Sequence, residues 1–364
     1  MAVQNKPILF ISPLPPPQGG IAIWTKKVIS EGLPDGTPIS LVNTKIRGKR
    51  NIFDRVFFSF PEIYRTLYII ISLLKQLTAK HPKLIHINCS LSSAGVFRDA
   101  ICMTLARIFR VPVVMHYHSN LQDFTGKHFF GLSQKILRYL MRHAARNIVI
   151  NTPSLEKARS LLPEHKPPLL LPNFMEDKLF SYEKITSQNA RHKAIFGGGI
   201  TKTKGCAEIL NAASALPDVD FHLYGKMHAD LDEIFRAAPP NIFLHGEVNH
   251  STLLKEMAQS DFLIFPSYSE GFPLTVLEAM SLSLPVIATS VGALPEMVTE
   301  EEGGYLIPPR SADALISAIE KLIAHPEKMI AMGEFNKKKS FAQYRYSVVI
   351  TQLLTIYNDI LETN

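Results

Sequence analysis

The chain reads as an α/β protein built from two doubly wound parallel-sheet domains. Three observations predict this. Short β-rich runs alternate with helical stretches twice over, and the length of 364 residues is that of two domains. The composition, 46% hydrophobic and 20% charged, is ordinary for a globular α/β protein. In the first half, strands are expected near 7–12, 39–43, 84–89, 112–117, 147–151 and 168–172. In the second half they are expected near 193–198, 219–224, 241–244, 261–266, 284–289 and 304–307. Continuous apolar runs such as Pro285-Val-Ile-Ala288 mark strands covered on both faces, as parallel sheets require. Between the halves, Asn173 to about Arg191 lacks a clear period and carries Ser181, Ser187, Gln188 and Asn189, the signature of a linker. Beyond the second half, Tyr346, Val349, Ile350, Leu353, Leu354, Tyr357, Ile360 and Leu361 follow the three-and-four spacing of an amphipathic helix. Such a helix needs an apolar surface, either its own domain or, by crossing back, the first. The expected organisation is a first domain over 1–175, a linker over 176–192, a second domain over 193–340 and a C-terminal helix over 341–364.

Composition narrows the setting. Cys89, Cys102 and Cys206 are odd in number and lack metal-ligand spacing, which predicts reduced thiols in a cytoplasmic protein. The first apolar run, Pro7–Ser12, is strand length and ends in prolines, so no secretory signal is read there. The longest apolar stretch elsewhere, Leu67–Leu74, is far short of the ~20 residues that cross a bilayer. Charge is divided unevenly. Residues 1–190 carry 25 Lys and Arg against 11 Asp and Glu, and residues 191–364 carry 14 against 21. A basic first half suggests an anionic partner, a membrane surface or nucleic acid.

Residues 269–280, Ser-Glu-Gly-Phe-Pro-Leu-Thr-Val-Leu-Glu-Ala-Met, follow the apolar run Phe262–Phe265. Pro273 suits the first position of a helix, so the pattern predicts strand, loop, then helix from Leu274 to about Leu282. Strand ends that feed helix N-termini are where open α/β sheets bind ligands, and the free N–H groups there suit phosphate. Glu270 would stand in the loop. Glu278 lies four residues beyond Leu274, roughly 6 Å along the helix at about 1.5 Å per residue. The two carboxylates can flank one extended anionic ligand with the shape of a nucleoside diphosphate sugar. Glu278 sits among Val276, Leu277, Ala279 and Met280, where a carboxylate without a partner is costly. A hydroxyl pair on the ligand would satisfy it.

These residues carry a resemblance. From Phe196 to about Ile323 the chain is similar to the retaining glycosyltransferases of the GT-B fold, family 4, also called glycosyl transferases group 1. The matching residues are Lys204-Gly205, Leu244-His-Gly246, Pro266-Ser267, Glu270 and Glu278, Leu284–Ala288 and Val291–Glu296. The first half matches more loosely through Gly19-Gly20, Leu84–Asn88, Val113–His118 and Leu171-Pro-Asn173, with 44–80 and 119–146 unmatched. The resemblance implies two Rossmann-like domains facing across a cleft, with the acceptor on the first and the nucleotide sugar mostly on the second. It implies that Glu278 takes the donor's ribose hydroxyls and Glu270 the sugar hydroxyls. Gly271, with the N–H groups of Phe272, Leu274 and Thr275, would meet phosphate or sugar, and Gly19 and Gly20 would face the donor phosphates. Lys204 corresponds to the lysine that neutralises the leaving diphosphate. In place of the arginine usual shortly before that lysine stands Gly199, and Lys202 is the substitute as a point charge without arginine's bidentate fork. His118 resembles the first-domain histidine that reaches the transferred sugar. His116 faces the same side of a strand, and His118 is preferred because it borders the loop at Ser119-Asn120.

The implied chemistry is transfer of a sugar from a nucleoside diphosphate sugar with retention at the anomeric carbon. Negative charge gathers on the leaving diphosphate. Lys204, Lys202 and the N–H groups of the 271–275 turn would stabilise it, each good donor contributing roughly 3–4 kcal/mol. Glu270 is then an orienter of the sugar rather than a nucleophile. No Asp-x-Asp stands at a strand end, and the resemblance implies no metal and no cofactor beyond the donor substrate.

The basic half suggests the acceptor's setting. Residues 45–77 mix Lys45, Arg47, Lys49, Arg50, Arg55 and Arg65 with Phe53, Phe57, Phe58, Phe60, Tyr64 and Tyr68. A second mixture from Lys127 to Arg146 carries Phe129, Phe130, Leu137, Tyr139 and Leu140. Both suit an anionic membrane surface, which points to a sugar or lipid-linked acceptor in bacterial surface polysaccharide or glycolipid assembly, on the inner face of the membrane. Three competitors are weighed against this. Nicotinamide-dependent oxidoreduction lacks its fingerprint, since Gly197-Gly-Gly199 is followed by Ile-Thr-Lys. Nucleic-acid binding lacks any accompanying motif. A catalytically idle sugar-nucleotide-binding assembly partner rests on Gly199 alone.

Overall fold

A computed structural model describes residues 6–16, 19–45, 60–124, 132–162, 166–182, 191–229 and 231–363. The chain divides into two compact units, Met1–Asn173 with Val349–Asn364, and Phe174–Val348.

The first unit holds six parallel strands: β1 (Ile8–Ser12), β2 (Ile39–Asn43), β3 (Leu84–Cys89), β4 (Val113–Tyr117), β5 (Arg146–Val149) and β6 (Leu169–Leu170). Helices α1 (Gly20–Glu31), α2 (Phe60–Ala79), α3 (Ser93–Ile108), α4 (Leu132–His143) and α5 (Thr152–Leu161) connect them. Every residue of β1, β3 and β4 is buried, because the apolar runs are covered on both faces. Leu9 and Ile11 of β1, Ile85 and Ile87 of β3 and Met115 of β4 share a core with Leu73 and Leu77 of α2 and Met103 of α3. The strand order is β2-β1-β3-β4-β5-β6. Chain order reverses between β1 and β3, so their carboxyl ends open the position where doubly wound sheets bind ligands.

The second unit repeats the plan with β7 (His192–Gly197), β8 (Val219–Tyr224), β9 (Ile242–Gly246), β10 (Phe262–Phe265), β11 (Val286–Thr289) and β12 (Gly304–Ile307). Its helices are α6 (Cys206–Ala215), α7 (Asp232–Arg236), α8 (His250–Ala258), α9 (Leu274–Ser281), α10 (Leu294–Met297), α11 (Ala312–Ile323) and α12 (Pro326–Tyr344). The order β12-β11-β10-β7-β8-β9 places the reversal between β7 and β10. Ala194 of β7 pairs with Phe262 of β10, and both strands run the same way. The loops that leave them, one carrying Lys204 and the other Glu270, therefore emerge side by side.

The last helix, α13 (Tyr346–Thr363), starts after a one-residue break. Residues 341–344 finish α12 rather than opening the C-terminal helix. Arg345 is extended, with φ −70° and ψ 151°, and bridges to Met175. The Met175 N–H donates to the Tyr344 carbonyl at 2.8 Å and the Tyr346 N–H to the Met175 carbonyl at 2.7 Å. From Val349 onward the helix belongs to the first unit, burying Val349, Ile350, Leu353, Tyr357 and Ile360. The expected linker is also shorter. Asp177–Ser181 forms a 3₁₀ turn of the second unit with Leu179 and Phe180 buried, Phe180 against Phe341, while 183–190 lie outside the described residues.

Candidate active site

In the second unit, the β7 loop is shaped by Gly205. It sits at φ +73°, and a Cβ there would collide with the Pro266 carbonyl at the end of β10. The collision shows how closely the loop lies on its neighbour, a fit only glycine allows. Thr201 caps the 3₁₀ turn Lys202–Lys204 by accepting from the Lys204 N–H at 3.2 Å, and the Tyr268 N–H donates to the Thr203 carbonyl at 2.9 Å. Held in this way, Lys204 Nζ lies 2.5 Å from Glu270 Oε1 and 5.6 Å from the centre of the Phe265 ring.

Glu270 is fixed from its other side. Gly292, at φ +57°, packs against the Glu270 carbonyl where any Cβ would collide, and the Ala293 N–H donates to the Gly271 carbonyl at 3.1 Å. Phe272 is buried against Tyr344, their ring centres 5.5 Å apart. Pro273 is the N-cap of α9, with ψ 119°, not its first helical residue. Proline's own φ is compatible with either place, and the extended ψ puts the first helical turn at Leu274. Leu274 and Thr275 in that turn are partly exposed, and Gly197 leaves room for Thr275 at the end of β7, a Cβ there meeting Thr275 Cγ2 at 3.1 Å.

Glu278 is buried, as its apolar neighbours require, but it is not alone. His250 Nε2, at the start of α8, lies 2.7 Å from Glu278 Oε1. A ligand's hydroxyl pair is thus not needed to give the carboxylate a partner. His250 stands 28 residues away, and only the packing of α8 against α9 brings it near. Lys202 is exposed. A side chain at Gly199 would fit without collision: a Cβ would make ordinary van der Waals contact, 3.8 Å from His228 Nε2 and 3.9 Å from Thr201 Cγ2. His228 is thus the cationisable side chain beside the position where the resemblance expects arginine.

Near β8, the Tyr224 hydroxyl donates to Glu256 Oε2 at 2.9 Å, and Lys193 Nζ lies 2.7 Å from the same oxygen. The Tyr224 ring stacks on His245 at 4.3 Å, and His245 meets His222 at 2.9 Å. Burial, helped by the Lys193 charge, lowers the His222 pKa to about 4. Burial and the bond to Glu208 push the Tyr268 hydroxyl up to about 12.

In the first unit, the carboxyl ends of β1, β3 and β4 converge on Asn88. Its Oδ1 lies 2.9 Å from His86 Nε2 and 2.8 Å from His118 Nε2. Its Nδ2 lies 2.9 Å from Ser12 Oγ. His116 and His118 do share a face, their rings 3.9 Å apart. His116, however, is fully buried and neither ring nitrogen has a hydrogen-bond partner among the described residues. His118 is partly exposed and is the one able to meet a ligand. Burial, then the neighbouring His86, holds the His118 pKa down to about 3, against a bond to Asn173 that raises it. Gly19 and Gly20 are exposed at the N-terminus of α1, which has no side-chain cap, and nothing lies within 4 Å of a Cβ built on either.

Other expectations fare unevenly. Cys89, Cys102 and Cys206 are free and buried, and burial pushes the Cys102 thiol up to about 12. Among the described residues no group of three His, Cys, Asp or Glu could hold a metal, and no helix is long and apolar enough to cross a membrane. Of the two basic and aromatic mixtures, Arg47, Lys49, Arg50, Phe53, Arg55, Phe57 and Phe58 of the first, and Lys127, Phe129 and Phe130 of the second, lie outside the described residues. In the second, Leu137 and Leu140 are buried and belong to the core, so they are not a surface for lipid.

Residues 178–339 match the family model of the glycosyl transferases group 1. The alpha-D-kanosaminyltransferase of Streptomyces kanamyceticus is 23% identical over 76% of this chain and 77% of its own length. The sulfoquinovosyl transferase SQD2 of Arabidopsis thaliana is 24% identical over 88% of this chain and 64% of its own. Among solved structures, the sucrose-phosphate synthase of Thermosynechococcus elongatus superposes with a TM-score of 0.81 at 18% identity, covering 99% of this chain and 100% of that one. Anabaena HepE in complex with UDP superposes at 0.74 and 16% identity, covering 97% and 100%. Residues 178–339, which hold Lys204, Glu270 and Glu278, therefore match the glycosyl transferases group 1, and the two six-stranded parallel sheets of this chain share the fold of these solved structures.

Proposed function

We propose that this glycosyltransferase moves a sugar from a nucleoside diphosphate sugar to an acceptor with retention of anomeric configuration, in bacterial surface polysaccharide or glycolipid assembly. The observation that carries the reading is the Lys204–Glu270 pair at the β7/β10 reversal, 2.5 Å apart, with Glu278 on the helix that follows. Without a ligand, Glu270 neutralises Lys204. When a diphosphate arrives, Lys204 exchanges the carboxylate for phosphate oxygens, and Glu270 is freed to accept from sugar hydroxyls. The N–H groups of Phe272, Leu274 and Thr275, at the uncapped start of α9, add the positive end of the helix dipole. Glu278 keeps one oxygen on His250 and offers the other to the ribose hydroxyls. Lys202 is exposed at the same turn and adds a second point charge for the leaving group.

For the first unit we assign His118 to the transferred sugar and Gly19-Gly20, at the open start of α1, to phosphate oxygens. Charge accumulates on the leaving diphosphate as the glycosidic bond breaks, and groups already held in place stabilise it without reorganising. No step calls on a metal. HepE has been solved with UDP and with UDP-glucose, which makes uridine diphosphate sugars the first donors to try. Exposed Tyr64, Leu67 and Ile71 along α2, in the half of the chain with excess Lys and Arg, support an acceptor at an anionic membrane surface.

A panel of sugar nucleotides screened by thermal shift, followed by transfer assays of Lys204→Ala and Glu270→Ala, tests the reading. Full activity in both variants removes the site. A nucleotide-dependent shift without transfer to any acceptor favours the idle binding partner that Gly199 suggests. Sedimentation with anionic and neutral liposomes tests the membrane setting, and binding to neither leaves a soluble acceptor.

A further inference from the structure

The positions of the protons in the first unit's histidine cluster follow from its far end. Thr25 Oγ1 donates to the Ile21 carbonyl at 2.8 Å, one turn back in α1. The close contact between Ser12 Oγ and Thr25 Oγ1 must then use the serine's proton. With both hydroxyl protons committed, the two oxygens can only accept from Asn88, whose Nδ2 lies 2.9 Å from Ser12 and 3.2 Å from Thr25. This fixes the orientation of the amide. Asn88 Oδ1 faces the imidazoles with two lone pairs and no proton, so it needs an N–H from each ring. His86 Nε2, at 2.9 Å, and His118 Nε2, at 2.8 Å, both donate. His86 is left with a bare Nδ1, and the Tyr357 hydroxyl, 2.7 Å away on α13, donates to it.

We propose that Asn88 is a positioning residue for His118, holding its imidazole as the Nε2–H tautomer, with Ser12 and Thr25 at one end and His86 and Tyr357 at the other keeping the amide from turning over. The proposal rests on the reading of His118 as the group that meets the transferred sugar. In this tautomer Nδ1 carries a lone pair and no proton. It accepts from a substrate hydroxyl, and only the protonated ring would donate to Asn173, the bond that raises its pKa. A sugar offering a hydroxyl at that place is favoured over one offering a carboxylate, which separates neutral hexoses from uronic acids. Burial supports the arrangement, since among the described residues the groups around the ring, His86 and His116 from β3 and β4 and Trp24 from α1, carry no opposite charge.

The test reads tautomers directly in the resting protein labelled with ¹⁵N-histidine, using long-range proton–nitrogen correlations, with His118 assigned by His118→Gln. The expected result is an Nε2–H form for both His86 and His118, unchanged between pH 5 and 8. In Asn88→Leu, His118 becomes a mixture of tautomers and kcat falls tenfold or more, while the donor KM stays within threefold. Asn88→Asp restores the Nε2–H form but raises the apparent pKa in the pH–rate profile, an effect that lost packing would not produce. An Nδ1–H form of His118 in the unmodified protein, or the same tautomer after Asn88→Leu, overturns the proposal. If Asn88→Leu does not fold, the spectrum of the unmodified protein decides alone. If transfer survives His118→Gln, the sugar-contact reading fails, while the tautomer measurement still judges Asn88.

Discussion

Replacing Lys204 with methionine keeps most of the side chain's volume and removes its charge, which isolates the electrostatic role assigned to it. Two effects of different size follow. In the resting protein the lysine is paired with Glu270 at 2.5 Å, its side chain 33% exposed and that of Glu270 10% exposed. Fully exposed pairs contribute about 0–1 kcal/mol and breaking a buried pair costs about 3–5 kcal/mol. A pair between these limits should cost about 1–3 kcal/mol. For a unit of this size that is a fall in Tm of roughly 3–10 °C. In the proposed reaction, the same ammonium would face the diphosphate as it leaves, where one well-placed donor is worth about 100- to 1,000-fold in kcat. Initial rates with saturating sugar nucleotide, set beside thermal melts, separate the two. Adding Glu270→Gln to Lys204→Met should recover most of the lost stability, because no carboxylate is left buried alone, but none of the lost rate. A double variant with wild-type kcat, or a single variant that loses stability while kcat stays within threefold, refutes the role of Lys204 in catalysis.

Three further outcomes are expected. Glu278→Gln, and separately His250→Ala, should raise the donor KM about tenfold and weaken binding of the free nucleoside diphosphate similarly by calorimetry, since both act on one carboxylate. Gly292→Ala forces a Cβ into the Glu270 carbonyl at a φ of +57°, so unfolding in urea should show a loss of about 2 kcal/mol or more, with the donor-induced thermal shift lost as the loop moves. Stability of the first unit should rise with pH between about 3 and 6.5 and level off above. Burial holds the His86 pKa at about 3 and His116 well below its ordinary value, so the unfolded chain takes up protons that the folded unit refuses. Each such histidine costs about 1.4 kcal/mol per pH unit below about 6. Urea midpoints that do not fall between pH 6.5 and 5 would show these rings to be solvated.

The twelve described strands stand within a few residues of where the sequence places them; those buried on both faces, such as β1, β3, β4, β10 and β11, leave an uninterrupted apolar signature, whereas β9 is mostly exposed. Helix α9 was legible from Pro273 and the pattern after it. The proline's exact role was not, since its fixed φ suits an N-cap and a first helical position alike. Lys204, Glu270 and Glu278 could be read from motif spacing, yet their mutual geometry could not. The strand order β10-β7 puts residues 66 apart within ion-pair distance, and no local pattern encodes that neighbour relation. His250 went unseen for the same reason. His116 and His118 could not be told apart by periodicity, because burial depth, not facing, separates them. Asn88, in the Leu84–Asn88 match, and Tyr357, in the C-terminal helical stripe, carried no sign that they meet the same histidine, because the pairing with Tyr357 spans 271 residues.

The discontinuity of the first unit has a consequence for synthesis. Tyr357, which completes the hydrogen bonding of His86, lies 271 residues downstream of it. A ribosome releases the six strands of that unit long before the helix that closes it, so the earliest part to emerge is the last to be finished. During that interval His86 has no phenol to fill its bare nitrogen, and the apolar seat for Val349, Leu353 and Ile360 stands open to chaperones. A nascent chain stalled short of the terminus would therefore expose that seat, even with every strand of both sheets already made.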